Sequence, residues 1–347
     1  MAELRQNNVA GIKDVAARAG VSSATVSRTL SGNGKVSEAT RQKVQEAADE
    51  LGYVLSYNAS SLASGRSRNI GIVMPTVGRW YFSQVLEGAA AALIDAGYDL
   101  TLYNTSDGPG HRESVLTEML RRKRLDAVIA VALRLTDEEL AQLHAVGKPI
   151  VAIGGPLPKT HTIRVDEANI SAFATEHLIS LGHRRIAHIG GGEELVRDFR
   201  LGSTRRDGYE QAMGRAGLDC MHINSADFSV ASGAQAAKTL LASPHGRPTG
   251  IFCASDELAI GAILAAEALG LRVPEDLSVI GIDGHELGEV FGLTTISQDP
   301  KGQGAAAVAA VLSLLAQTPL ESDWIQRFYP TEFVVRSSTS VPADLRR

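Results

Sequence analysis

Short apolar runs alternate with longer amphipathic stretches from residue 69 onward, and no other feature constrains the fold of this chain as strongly. The runs are rich in Val and Ile, which is typical of strands buried on both faces of a parallel sheet. The predicted strands are 70–74, 100–103, 127–131, 149–153, 185–189, 250–254 and 278–282. The predicted helices are 82–96, 111–122, 137–146, 170–181, 205–216, 232–242, 257–269 and 302–316. This repeat predicts an α/β fold of doubly wound parallel sheets, and the number of units favours two sheets over one.

The first 68 residues follow a different pattern, in which two short helical stretches flank a glycine. The segment 12–30 reads IKDVAARAGVSSATVSRTL, and its first apolar face consists of Ile12, Val15, Ala16 and Ala19. Gly20 predicts the turn, and Ser22 is a suitable N-cap for the second helix. Val26 and Leu30 give that helix a buried side. Two helices joined by such a turn form a helix-turn-helix, with an ordinary helical hairpin as the alternative.

The exposed start of the predicted second helix carries small polar side chains and one long donor. They are Ser23, Ala24, Thr25, Ser27 and Arg28. Such side chains suit the floor and the phosphate walls of a DNA major groove. Residues 1–68 contain nine Lys and Arg against six Asp and Glu, whereas the rest of the chain contains 25 against 33. A modestly basic head on an acidic body fits a protein that holds DNA at one end only.

A third helix follows, with Ser37 at its start and Gly52 just past its end. Its apolar face consists of Val44, Ala47, Ala48 and Leu51. The pieces DVAARAGVS, TVSRTLSG, VSEATRQKV, ELGYVLSYNA and SLASGRS occur in this order over residues 14–67. In order and spacing they resemble the lac repressor/gal repressor (LacI/GalR-type) family of bacterial transcription regulators.

The resemblance implies that the segment after this headpiece becomes a hinge helix only on DNA. By position, Leu62 matches the leucine that wedges into the minor groove at the operator centre, with Ala59 and Ala63 beside it. The family usually has a proline near the start of this segment, whereas YVLSYN here has none, which predicts a less rigid hinge. A linker residue without contacts is the alternative for Leu62. The predicted DNA-binding residues are Ser22, Ser23, Ala24, Thr25, Ser27, Arg28, Thr40, Ala59, Leu62 and Ala63.

The rest of the chain resembles the two-lobed periplasmic sugar-binding-protein fold that this family joins to its headpiece. The matching pieces are HLISLGHRRIAHIGG, RRDGYEQAM, ASDELAIGAI, GLRVPEDLSVIGIDG and LTTISQD. By analogy the chain crosses between lobes near 164–166, 294–298 and 328–330, with the ligand in the cleft where strand carboxyl ends converge. The expected division is a headpiece 1–54, a hinge helix or linker 55–68, an N-terminal lobe 69–165 plus 297–328, a C-terminal lobe 166–296 plus 329–341, and a tail 342–347.

Two charged residues of the expected cleft are candidates for effector binding. Asp283 directly follows a predicted strand, and Arg205 lies in an RxxGY pattern. The resemblance assigns effector binding to both positions. A carboxylate can accept from two sugar hydroxyls, while a turn-forming role is the alternative for Asp283. Arg205 is expected to open a helix, where the helix dipole disfavours a cation, and this favours a functional role.

Three consecutive aromatic residues, Trp80, Tyr81 and Phe82, follow the first predicted strand. Aromatic residues make up only 5% of the chain, so the run is conspicuous. An aromatic ring packs against the apolar face of a sugar or stacks on a base. All three are therefore candidate effector contacts, and Phe82 is the one most expected to lie in the core.

Further cleft candidates rest on the resemblance or on position alone. Phe228 matches a family position that contacts effector, and Asp166 lies at a lobe crossing, where it binds ligand or holds the hinge. Ser255 follows a predicted strand, and the neighbouring Asp256 is expected to be the N-cap of the next helix.

Catalytic and metal motifs are absent from the sequence. No GxGxxG follows a strand, SGNGKV is only a partial P-loop, and neither GxSxG nor HExxH occurs. The two cysteines, Cys220 and Cys253, form no CxxC, so neither a disulfide framework nor a zinc site is expected. We expect no enzymatic activity, no cofactor and no metal. Without an apolar N-terminal run or a membrane-length apolar stretch, we expect a cytoplasmic protein with no membrane partner.

The sequence thus predicts a DNA-binding regulator, a repressor of carbohydrate-utilisation genes that a sugar effector releases from a near-palindromic operator. A purine-type corepressor-dependent repressor and a solute-binding module are the alternatives, and the headpiece argues against the module. The resemblance implies a homodimer in which ligand closes the lobes and separates the hinge segments. The terminal SSTSVPADLRR has no heptad repeat, so a dimer is expected rather than a tetramer.

Overall fold

The structure is a computed structural model of the chain. It describes residues 10–30, 36–53, 67–105, 111–122, 125–133, 135–145, 147–155, 157–191, 201–225, 227–242, 246–318 and 326–346. The chain divides into two units, Met1–Arg68 and Asn69–Arg347. Among the helices of these described ranges, none has the length and apolar character that a membrane crossing requires.

Three helices form the first unit: α1 (Ile12–Ala19), α2 (Ser23–Leu30) and α3 (Glu38–Glu50). Their shared core consists of Val15, Ala16, Val26, Val44, Ala47 and Ala48. Gly20 ends α1 with a φ of 67°, a conformation that glycine adopts without a Cβ penalty. The predicted helix-turn-helix is confirmed.

Serine caps start both later helices of this unit. The hydroxyl of Ser22 accepts the backbone N–H of Thr25 at 3.2 Å, and that of Ser37 accepts the N–H of Thr40 at 3.3 Å. Each such cap typically stabilises its helix by about 1 kcal/mol.

The prediction that Leu51 belongs to the buried apolar face of α3 is wrong. Leu51 is 36% exposed, while Tyr53 packs against the core instead. Gly52 has a φ of 61°, so the chain turns between these two residues and carries Leu51 away from the other helices.

The first lobe of the second unit is built on a parallel sheet. Its strands are β1 (Asn69–Met74), β2 (Asp99–Asn104), β3 (Ala127–Val131), β4 (Ile150–Ile153), β5 (His161–Arg164) and β11 (Gln326–Phe328). They pair in the order β11-β5-β4-β3-β1-β2. Its helices are α4 (Trp80–Asp95), α5 (His111–Arg122), α6 (Asp137–Ala145) and α12 (Pro300–Leu315). Buried Ile and Val side chains of β1, β3 and β4 pack with α4 and α12, as their β-branched runs predict.

The second lobe repeats this plan. Its strands are β6 (Ile186–Gly191), β7 (Met221–Ser225), β8 (Gly250–Cys253), β9 (Ser278–Asp283), β10 (Thr294–Ser297) and β12 (Glu332–Val334). They pair in the order β12-β10-β9-β8-β6-β7, with β12 antiparallel. Its helices are α7 (Glu167–Ser180), α8 (Leu201–Arg215), α9 (Val230–Leu241), α10 (Asp256–Ala268) and the short α11 (Leu287–Val290). The prediction of two doubly wound sheets is confirmed.

The apolar pattern locates seven of the described strands, among them β2 at a sheet edge, and misses five others: β5, β7, β10, β11 and β12. Three of these lie at sheet edges. All three residues of β11 are exposed, and β7 alternates between exposed and covered positions. An edge strand lacks the continuous apolar run by which a fully buried strand is recognised.

The chain passes between the two sheets at three places. It leaves the first sheet after β5, returns between β10 and α12, and crosses again between β11 and β12. The carboxyl ends of the parallel strands lie next to the first two crossings, which is where ligands bind in open α/β sheets.

Candidate functional site

A cavity of about 490 Å³ lies between the two lobes. From the first lobe it is lined by Ala132, Gly154 and Arg164, at the carboxyl ends of β3, β4 and β5. From the second lobe it is lined by Ser255 and Asp283, at the ends of β8 and β9. Its volume falls in the range of about 300–1,000 Å³ that is usual for small-molecule sites.

The structure brings most of the predicted effector-binding residues together in this cavity. Those that line it are Tyr81, Phe82, Asp166, Arg205, Phe228, Ser255 and Asp283. Trp80 is not part of the lining, because successive residues of a helix point about 100° apart and three adjacent rings cannot share one face. Phe82 both lines the cavity and belongs to the first-lobe core, with 6% of its surface exposed.

Arg205 is the most deeply buried charge of the site, with 2% of its side chain exposed. Its Nε donates to Glu167 Oε2 at 2.8 Å, its Nη1 donates to the carbonyl of Ala254, and Nη1 lies 3.8 Å from Asp283 Oδ1. Burial lowers the pKa of Arg205, but the carboxylates of Glu167 and Asp283 outweigh this and raise it overall. A buried guanidinium is thereby held in place by groups from three separate segments.

The predicted position of Arg205 at the start of a helix is wrong. Helix α8 begins at Leu201, so Arg205 lies in its second turn. The dipole argument for a functional role therefore no longer applies, since that effect fades beyond the first turn. The burial of Arg205 among carboxylates supports a functional role instead.

Asp283 ends β9 with a φ of 140°. Its Oδ1 accepts the Nε2–H of Gln298 at 2.7 Å, while Oδ2 has no hydrogen-bond donor among the described residues. Burial raises the pKa of this carboxyl well above its usual range, and the nearby Arg205 opposes that rise. Such a group is ready to exchange hydrogen bonds with a ligand hydroxyl.

A chain of hydrogen bonds links Asp283 to the first lobe. The hydroxyl of Tyr81 donates to Gln303 Oε1 at 2.9 Å, Gln303 Nε2 donates to the carbonyl of Gln298 at 2.8 Å, and Gln298 then donates to Asp283. Burial raises the pKa of Tyr81. Both glutamines were missed from sequence, although the LTTISQD piece contains Gln298.

The expected N-cap of α10 is also wrong. Ser255 is the cap, because its hydroxyl accepts the N–H of Leu258 at 3.3 Å. The buried carboxylate of Asp256 instead accepts from the backbone N–H groups of Gly284 and His285, at 2.9 and 2.8 Å. It also accepts from the Thr295 hydroxyl at 2.7 Å. Asp256 thus fixes the loop directly after Asp283.

Several contacts near the cavity join the two lobes. The Trp80 indole stacks on His285, with ring centroids 4.7 Å apart and planes 25° apart. Glu257 accepts the backbone N–H of Trp80, which is favourable at the start of α4. The Arg79 guanidinium lies 5.3 Å from the centroid of the Phe228 ring. Trp80 therefore joins the lobes rather than facing the cavity.

Two residues of the first-lobe lining were missed by sequence reasoning. Arg164 and Phe328 are paired neighbours on β5 and β11, and the guanidinium lies 4.4 Å from the ring centroid. No local sequence signal connects them, because only the sheet register makes them adjacent. Asp166, close to Arg164, accepts the N–H of Asn169 at 3.2 Å and caps α7.

In the headpiece, the predicted DNA-reading residues lie on the side of α2 away from its core. Ala24 and Arg28 are exposed, and Ser23, Thr25 and Ser27 are half-buried, whereas Val26 is fully buried. Ser22 and Thr40 take part in the two helix caps described above. Ala59, Leu62 and Ala63 lie outside the described residues.

Comparison with known proteins agrees with this two-part organisation. Residues 11–56 match the description "Bacterial regulatory proteins, lacI family", and residues 175–339 match a periplasmic binding protein-like domain. The HTH-type transcriptional repressor CytR of Escherichia coli strain K12 is 33% identical over 341 residues, which cover 96% of this chain and 98% of that protein. This chain belongs to the LacI family of bacterial regulatory proteins.

Solved structures of the family share the architecture. The lac repressor dimer bound to operator and the anti-inducer ONPF has a TM-score of 0.83 and 27% identity, covering 95% of this chain and 99% of that one. A complex of the regulator CelR with cellobiose has a TM-score of 0.66 and 27% identity, with the same two coverages. As a LacI-family member, the chain is a DNA-binding transcriptional repressor with a ligand-binding body.

Proposed function

We propose that this repressor is a cytoplasmic homodimer that a sugar releases from a near-palindromic operator of carbohydrate-utilisation genes. The observation that carries the proposal is the buried pair of Arg205 and Asp283 at the cavity wall. Guanidinium N–H groups donate to sugar oxygens, and a carboxylate accepts from sugar hydroxyls. Phe228 and Tyr81 line the same cavity and supply aromatic surface for the apolar face of a sugar ring.

The relatives support this ligand class and this assembly. One solved relative is a complex with cellobiose, and another is a dimer bound to operator. We extend both properties to this chain, with Ser22, Ser23, Ala24, Thr25, Ser27, Arg28 and Thr40 on the DNA. These side chains and Leu62 give each half-site its specificity. Each base pair that is read well contributes about 1–3 kcal/mol of discrimination against the wrong base.

The domain division predicted from sequence is part of the same proposal. The headpiece is 1–54, the hinge 55–68, the first lobe 69–165 plus 297–328, the second lobe 166–296 plus 329–341, and the tail 342–347. Ligand binding between the lobes shifts them relative to each other, and the two hinge segments of the dimer separate. Coupling of this kind is typically about 1–3 kcal/mol.

The decisive experiment is fluorescence anisotropy of a labelled palindromic duplex with a central CpG step, titrated with the full chain. Neutral and acidic sugars and purines are added at one fixed salt concentration, because DNA affinity depends steeply on salt. We expect one sugar to dissociate the complex. A purine that strengthens the complex, with no sugar that weakens it, would contradict the proposal.

Asp283→Asn is expected to bind the duplex as the unsubstituted protein does and to lose at least tenfold in sensitivity to the releasing sugar. The reason is that the amide places an NH₂ group, which only donates, where the carboxyl group has an oxygen that can accept from a ligand hydroxyl. Asp276→Asn is the matched control, since Asp276 pairs with Arg272 in the same lobe but outside the cavity lining. Equal sensitivity of the two variants to the releasing sugar would show that Asp283 does not bind it.

Leu62→Ala tests the proposed minor-groove wedge. We expect a loss of palindrome affinity that greatly exceeds the loss on random duplex, because only the specific complex gains from a kinked base step. The comparison is made by anisotropy on both duplexes at the same salt. Equal losses would show that Leu62 contributes no specificity.

A further inference from the structure

Arg164 is held in a fixed position on the first-lobe wall of the cavity. It is the last residue of β5, and its paired neighbour on β11 is Phe328. Its guanidinium lies 4.4 Å from the centroid of that ring, and both residues line the cavity. Stacking on a ring restrains the plane of a guanidinium, while the N–H groups on its edge still point outward in that plane.

The guanidinium of Arg164 has no hydrogen-bond acceptor and no acidic partner within the described part of the chain. Its Nε is buried and has no partner there. Burying a donor without an acceptor is costly, and the cost is larger for a charged group. The Arg164 guanidinium is therefore available to donate to an acceptor atom of a ligand in the cavity.

The other two arginines of the cavity lining already lie beside carboxylates. Arg205 is bonded to Glu167 and lies beside Asp283. The positive charge of Arg79 favours the ionised forms of Glu257 and Asp227, since it contributes a lowering of the pKa of each carboxyl. Arg164 therefore differs from both other arginines of the lining.

Asp166 is the acidic residue nearest to Arg164 in sequence, and it also lines the cavity. Its carboxylate accepts the backbone N–H of Asn169 and caps α7, at the start of the second lobe. No ion pair joins it to Arg164 among the described residues. Asp166 thus leaves the guanidinium without its counter-charge.

We propose that Arg164 binds an acidic group of the effector, so that the effector is a sugar carrying a phosphate or a carboxylate. The planar fork of N–H donors matches both anions, each of which accepts two parallel hydrogen bonds from a guanidinium. The acidic end of the ligand then lies on the first lobe, and its hydroxyls face Arg205 and Asp283 on the second. One molecule binds both lobes at once, which couples binding to their relative position.

This inference rests on the proposed sugar effector, and its test uses matched sugars. Full-length protein is titrated by calorimetry with glucose, glucose 6-phosphate and glucuronate, and with ribose and ribose 5-phosphate. Inorganic phosphate is included to measure binding of the anion alone. We expect one acidic sugar to bind at least tenfold more tightly than its neutral parent, and the phosphate and carboxylate arms identify which anion is preferred.

Arg164→Gln is then expected to lower the affinity for the acidic sugar at least tenfold and to change the affinity for its neutral parent by much less. Arg164→Lys is expected to restore part of the lost affinity, because the charge returns without the bidentate fork. The matched control is Arg215→Gln, at an exposed arginine paired with Glu176 away from the cavity. Thermal unfolding of each variant establishes that the body is folded.

The outcomes separate this inference from the proposed function. An operator complex that a neutral sugar dissociates as well as its acidic counterpart would overturn the role of Arg164 and leave the sugar effector standing. An acidic preference that survives in Arg164→Gln would also overturn it. If no sugar of either kind changes operator binding, the proposed function itself fails.

Discussion

The two walls of the cavity differ in how their charged side chains are paired. On the second lobe, Arg205 contacts Glu167, the Ala254 carbonyl and Asp283, and Asp256 accepts three hydrogen bonds. On the first lobe, the guanidinium of Arg164 contacts the Phe328 ring and has no hydrogen-bond acceptor among the described residues. The guanidinium of the second lobe is paired with carboxylates before any ligand arrives, whereas that of the first lobe remains a donor for a ligand.

This difference follows from burial. A guanidinium with 2% exposure must be paired, because an isolated buried charge would destabilise the fold. Arg164 is only half-buried, so it tolerates an open side. The second lobe therefore supplies a rigid template, and the first lobe supplies the group whose pairing depends on what enters the cleft.

The largest effect is expected from Arg205→Met. It leaves the buried Asp283 and the half-buried Glu167 without their cation and is expected to lower the free energy of unfolding by about 3–5 kcal/mol. Arg164→Met is the matched variant on the other wall, with an expected loss of about 1 kcal/mol or less, since only its stacking on Phe328 is removed. Urea unfolding followed by circular dichroism measures the free energy of unfolding of both variants. Similar losses in the two would show that the walls do not differ in this way.

A smaller effect is expected from pH, again in the second lobe. His188 is buried between Tyr209 and Phe252, and burial lowers its pKa to about 3. The unfolded chain, with a histidine pKa of about 6.5, binds the proton first as pH falls. The stability contributed by neutral His188 is therefore complete above about pH 6.5 and falls by about 2 kcal/mol by pH 5.

His188→Phe removes this part of the pH dependence. The ring still fits between its two aromatic neighbours, although its hydrogen bond to the Phe252 carbonyl is lost at every pH. The quantity to compare is thus the change in the free energy of unfolding between pH 7 and pH 5. If that change is the same in both proteins, His188 is not the group that titrates.

A modest effect is expected from Tyr81→Phe on the first lobe. The substitution removes the hydrogen bond to Gln303 and is expected to cost about 0.5–1.5 kcal/mol of stability. Tyr98→Phe is the control, since no hydrogen bond of the Tyr98 hydroxyl is found in the described structure. A loss for Tyr81→Phe as large as that for Arg205→Met would mean that the first-lobe wall is as tightly organised as the second.

Sequence alone determined many of the local features of this protein, although it misplaced the N-cap of α10 and the start of α8. The β-branched runs located β1, β3, β4, β6, β8 and β9, and the alternation with helices gave two doubly wound sheets. Gly20, Ser22 and Ser37 marked the ends of the headpiece helices. Each of these signals depends on residues a few positions apart, so a linear pattern contains it in full.

Tertiary structure decided what each polar group in the cleft contacts. Tyr81 and Gln303 are separated by 222 positions, and Asp256 and Thr295 by 39. Arg164 meets Phe328 only through the register of β5 and β11. The sequence indicated that Asp283 and Arg205 belong to a site, but sheet order and lobe crossings determined which charges are satisfied and which remain for a ligand. Side-chain pairing across a sheet is set by register, and no local pattern encodes the register of strands that are distant in the chain.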